Sequence, residues 1–92
     1  MHDTRRFDRA EGVYRQAIRN CGEDAVLLFN LGVLLDDQKR WTEAMVAYAA
    51  AVRADPALAD GHYNLALLCQ KLGKPKEAIR HMARYRKLVA KK

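Results

Sequence analysis

The sequence predicts an all-α chain of five helices stacked as repeating hairpins, and three observations carry that prediction. Apolar residues recur at i, i+3, i+4 and i+7 in runs of about 13–17 residues, the helical period. Strand-like alternation is absent, and Ala-rich stretches such as MVAYAAAV favour helix on intrinsic propensity. The phrase LFNLGVLL at residues 28–35 returns as HYNLALLC at residues 62–69, 34 positions later.

Turn-like breaks at residues 20–24, 36–40, 55–58 and 72–75 divide the chain into helices over about 5–20, 25–38, 42–54, 59–72 and 75–90. Asp24 stands where an N-cap would serve the second helix. Pro75 suits the first position of the fifth, where its missing N–H costs nothing. Leu27, Leu28, Leu31, Leu34 and Leu35 form one apolar stripe, and Ala44, Tyr48, Ala51 and Val52 another. In the fifth helix Ile79, Met82 and Val89 are expected to face the core. The short joins make sequential helices antiparallel neighbours.

Laying residues 25–58 over 59–92 keeps the 34-residue offset without a gap. Asn30-Leu31 matches Asn64-Leu65, Gly32 matches Ala66, and Glu43-Ala44 matches Glu77-Ala78. Moved backwards, the same frame aligns Phe7 with Trp41, Ala10 with Ala44, Tyr14 with Tyr48 and Ala17 with Ala51. A fixed period of this length signals stacked helix–turn–helix units, none of which buries its apolar face alone. Gly32 and Ala66 fall where the two helices of a hairpin meet, with Ala10, Ala44 and Ala78 opposite, so small side chains are needed there. Tyr14, Tyr48 and Met82 fill the space toward the next unit.

These marks resemble the tetratricopeptide repeat, whose period is 34. They fall on Leu28, Leu31-Gly32, Leu35, Ala44, Tyr48, Ala51 and Pro56, then on His62, Leu65-Ala66, Cys69, Ala78, Met82 and Tyr85. The resemblance implies a right-handed α-solenoid in a single domain over residues 1–92. Residues 1–24 would be a partial repeat holding only a second helix, 25–58 a full repeat, and 59–92 a degenerate terminal repeat. That terminal repeat has Tyr85 where Ala is expected and lacks a closing Pro. The half repeat would leave Phe7, Val13, Tyr14 and Ile18 around an uncovered first helix. Either the chain belongs to a longer array, or something else covers that end, self-association included.

In the resembled family a ligand lies along the concave face built by the first helices. Carried over, that face comprises Val26, Phe29, Asn30, Val33 and Asp37, then Asp60, Tyr63, Asn64, Leu67 and Lys71. In each helix these recur at i, i+3, i+4 and i+7, on a side distinct from the Leu28/Leu31/Leu35 stripe. Asn30 and Asn64 each offer two donors and an acceptor to the backbone of an extended peptide. The alternative is that both amides brace neighbouring helices. Capture of a C-terminal carboxylate is disfavoured, because Phe29, Val33 and Asp60 stand where basic or amide residues would be wanted. The function expected is thus a protein–protein interaction module with a protein or peptide partner.

Charge suggests a second candidate. Net charge is +6, but residues 71–92 carry nine basic residues against Glu77 alone, while residues 21–70 carry three against seven acidic ones. Arg80, Arg84, Lys87 and Lys91 recur at helical spacing and could meet an acidic partner or nucleic-acid phosphates. No groove-reading motif or aromatic cluster accompanies them, so a solvated face is the simpler expectation. Catalysis is not expected. His2, His62 and His81 are scattered, Cys21 and Cys69 lack metal-ligand spacing, and no Gly-rich phosphate loop is present, which implies no metal and no cofactor. His62 and Cys69 fall on packing positions. The absence of an apolar leader or a run of about 20 apolar residues, with two lone cysteines, points to a cytoplasmic chain without a membrane segment.

Overall fold

The computed structural model describes residues 4–90, with side chains from residue 6 onward. Five helices follow one another: α1 (Thr4–Cys21), α2 (Ala25–Asp37), α3 (Trp41–Ala54), α4 (Ala59–Lys71) and α5 (Pro75–Ala90), with no strand among the described residues. The closest packing joins α2 to α3 and α4 to α5; α1 rests on α2, and α3 on α4. The result is an all-α helical-repeat solenoid, as the sequence predicts.

Local signals set the boundaries. The Asp24 carboxylate accepts from the backbone N–H of Val26 (2.9 Å) and Leu27 (3.2 Å), satisfying two donors that α2 cannot satisfy itself. The hairpin turns repeat with the frame. After α2, Arg40 N–H donates to Leu35 C=O and Lys39 N–H to Asp36 C=O. After α4, Lys74 and Gly73 make the same two bonds to Cys69 and Gln70. This closure needs a left-handed residue, supplied by Gly73 at φ +75° and by Lys39 at φ +62°. The two turns are the same structure built from different residues.

The core runs through α2, α3 and α4: Leu31, Leu35, Ala44, Ala47, Tyr48, Val52, Leu65, Leu68 and Cys69 form one buried cluster. Gly32 is required in this seam, since a Cβ there would lie 2.6 Å from Tyr48 Cδ1. Ala44 and Ala51 are fully buried opposite. One expectation is corrected: Ile79 is 70% exposed, and Val89 is also exposed. The inward arc of α5 is Ala78, His81, Met82, Tyr85 and Leu88, all half-buried. Ile79 aligns with Met45, which packs on the core cluster from α3, but no described helix covers that side of α5. Hydrophobicity and the repeat frame both point Ile79 inward; its exposure follows from the lack of a covering helix among the described residues.

Candidate peptide-binding face

Tyr48 organises the junction of α2, α3 and α4. Its ring lies against Gly32 and packs on Phe29, ring centroids 5.6 Å apart and tilted at 48°. Its hydroxyl donates to Asp36 Oδ2 at 3.5 Å and accepts from Asn64 Nδ2 at 3.4 Å. Burial first, then the Asp36 charge, pushes the phenol up to about 12, so it remains a donor at neutral pH. Through this one side chain, the outward sides of α2 and α4 adjoin.

None of the ten residues expected on this face is buried. Val26 (60% exposed), Asp37, Asp60, Tyr63, Leu67 (43%) and Lys71 are exposed, while Phe29, Asn30, Val33 and Asn64 are half-buried. Several have internal duties as well. Asn64 braces α4 against α3 through Tyr48, the alternative weighed from the sequence. Phe29 and Val33 lean on the core cluster, and the Tyr63 ring packs on Tyr85 at 5.0 Å. Lys71 Nζ sits 4.6 Å over the Trp41 ring, a cation–π contact. The start of α3 and the end of α4 meet in an antiparallel pair, so this contact was available to sequence reasoning, but neither residue's frame counterpart repeats it.

An ionic cluster was also missed. Arg40 contacts Glu11 at 2.7 Å and Glu43 at 2.5 Å, and Arg15 contacts Glu11 at 2.8 Å. It ties α1 to the α2–α3 turn. Hydrogen bonds from Arg40, then Arg15, hold the Glu11 carboxyl below the usual carboxylate range.

The scattered histidines resolve into a packed pair. His62 Nε2 lies 3.0 Å from Pro56 C=O, which can only accept, so Nε2 carries the proton and donates. His62 Nδ1 then accepts from His81 Nδ1–H at 3.3 Å. Burial, then His62, holds His81 below its usual value. Cys69 is buried, and burial pushes its thiol up, away from the reactive thiolate. Among the described residues, no group of three or more His, Cys, Asp or Glu could hold a metal.

Arg80, Arg84 and Lys87 are exposed along α5 without an ion pair among the described residues; Lys91 lies outside them. A groove of about 390 Å³ opens elsewhere, over Leu28, Leu31 and Leu35 and rimmed by Arg15, Glu43 and Arg53. It shares no residue with the ten. No helix among the described residues is long and apolar enough to cross a membrane.

Comparison with known proteins supplies the family. Two models of the tetratricopeptide repeat match residues 3–59 and 59–85. The peroxisomal targeting signal receptor of Candida albicans is 33% identical over 76 residues, 83% of this chain and 13% of the receptor. That of Candida glabrata is 32% identical over the same shares. The chain therefore spans a small fraction of these relatives. Among solved structures, a crystal structure of MamA superposes with TM-score 0.88 at 19% identity, covering 94% of this chain and 50% of MamA. MamA from Desulfovibrio magneticus RS-1 gives 0.86 at 21%, covering 95% and 49%. At these identities the structural likeness establishes the fold.

Proposed function

The chain belongs to the tetratricopeptide repeat family, a protein–protein interaction module, and from that premise we propose that it binds an extended peptide segment across α2 and α4. The observation that supports this most is the pairing of exposed apolar side chains, Val26 on α2 and Tyr63 and Leu67 on α4, with unburied amides at Asn30 and Asn64. The amides meet the peptide backbone and the apolar groups meet its side chains. Asp37 and Asp60 at the rim favour a segment carrying a basic residue. The relatives are named as receptors for a targeting signal, which fits a signal-binding role for the shared repeats. The module is non-catalytic in this reading, since His62 and Cys69 serve packing and lack a reactive setting. We read residues 1–24 as a second helix without its partner, 25–58 as a full repeat and 59–92 as the terminal one. Unpaired thiols at Cys21 and Cys69 suit a cytoplasmic setting.

The test is a pull-down, run with and without nuclease, with the wild type, Val26→Glu/Leu67→Glu and Asn30→Ala/Asn64→Ala. A protein captured by the wild type and lost with both double variants supports the reading. Captured nucleic acid that Arg84→Glu/Lys87→Glu abolishes would transfer the function to α5. Recovery of only the chain itself would make assembly through the α1 end the function.

A further inference from the structure

α1 has the surface of a hairpin's second helix but no first helix lies on it among the described residues. In the 34-residue frame Ala10, Val13, Tyr14 and Ala17 correspond to Ala44, Ala47, Tyr48 and Ala51, all buried in α3. On α1 the same positions are open: Val13 is 64% exposed, and Ala10, Tyr14 and Ala17 are half-buried. The adjoining surface of α2 shows the same deficit. Leu34 is half-buried, whereas its counterpart Leu68, covered by the preceding hairpin, is 2% exposed. The open face of α1 itself holds a shallow groove of about 380 Å³ lined by Arg6, Arg9, Ala10, Val13 and Tyr14.

We propose that this groove takes an acidic amphipathic helix with the pattern of α2, seated on α1 as α2 is seated on α3. Two observations select that occupant. The α2–α3 seam, continued by one frame, requires a Gly facing Tyr14 as Gly32 faces Tyr48. Arg6 and Arg9 line the groove and no acidic side chain does, so an acidic flank is complementary. A second copy fits less well, because α5 carries Lys76, Arg80, Arg84, Arg86 and Lys87 against Glu77, and two α1 surfaces repel likewise.

The probe is a fluorescein-labelled peptide of residues 24–38 carrying Val26→Glu and Asn30→Glu, outward positions whose added charge keeps it soluble. Titrated with the whole chain and followed by anisotropy, it should saturate, weakening with added salt. Val13→Glu in the chain, whose exposure leaves the fold intact by circular dichroism, should weaken binding at least tenfold. Gly32→Leu in the peptide should do the same. Absence of saturable binding, or binding unchanged by Val13→Glu, overturns the proposal. So does sedimentation showing a wild-type dimer that Val13→Glu dissociates and the peptide does not, which would assign the groove to a second copy.

Discussion

α3 and α5 hold the same place in two successive hairpins, yet six residues of α3 are buried and none of α5. The turns before them close with the same hydrogen bonds, and Ala44 and Ala78 fall at the same point. What differs is the neighbourhood. α3 is packed by α2 on one side and α4 on the other, whereas among the described residues α5 packs mainly on α4. The frame fixes where the chain turns and which residues look inward, and the number of neighbours fixes how much each contributes. The residues have diverged accordingly: Ala47 and Ala51, buried in α3, become His81 and Tyr85, half-buried in α5.

Removing the inward side chain at the same frame position of each hairpin should expose this difference most. Tyr48→Ala, with the ring 1% exposed, should cost about 3–5 kcal/mol, and Met82→Ala, half-buried, about 1–2 kcal/mol. Equal losses in denaturant melts would show that α5 is as enclosed as α3. Overpacking separates them next. Gly32→Leu or Ala44→Leu should cost about 1–3 kcal/mol, and Ala78→Leu less than about 1 kcal/mol. Unchanged thermal stability of Gly32→Leu would refute the seam.

The histidine pair should make only the terminal hairpin sensitive to mild acid. His81 is held below its ordinary value, by burial first, then by His62 and Arg80, with Glu77 opposing. The unfolded chain therefore takes up that proton more readily than the folded one. The associated stability is complete above about pH 6.5 and is lost as pH falls from there through the folded-state pKa. Installing the central hairpin's residues, His62→Leu/His81→Ala, should flatten the decline of Tm between about pH 7 and pH 5.5. A slope unaltered by the substitution would assign the acid sensitivity to other groups.

The smallest effect concerns the turns. Lys39 occupies a left-handed conformation that Gly73 adopts without steric cost. Lys39→Gly should stabilise by about 0.5 kcal/mol, and Gly73→Lys should destabilise by about 1 kcal/mol. If both substitutions destabilise in urea titrations, the Lys39 side chain contributes something the turn geometry does not reveal.

Most of the fold was legible because the determinants recur. A single apolar stripe is ambiguous, but Leu31-Gly32 and Leu65-Ala66 at one offset specify a seam twice. The candidate face was legible as a set of positions and less so as chemistry. Asn64 is held by Tyr48, Tyr63 by Tyr85, and Lys71 sits on Trp41. Such contacts join residues from different helices whose frame counterparts differ, so the repeat cannot announce them. The Glu11–Arg40 link and the His62–His81 pair escaped for the same reason. Ile79 and Val89 were misplaced because no described helix packs on that side of α5, which hydropathy does not register.

The most direct test of the binding face is site-specific photocrosslinking, with a benzophenone residue replacing Val26, Leu67 or Arg84 in turn. All three positions are exposed, so the label leaves the core intact. One protein should form adducts from both Val26 and Leu67, its contacts mapping to a single extended segment, and Arg84 should give none. Adducts confined to Arg84 would contradict a function on the α2–α4 face and place it on the basic surface of α5.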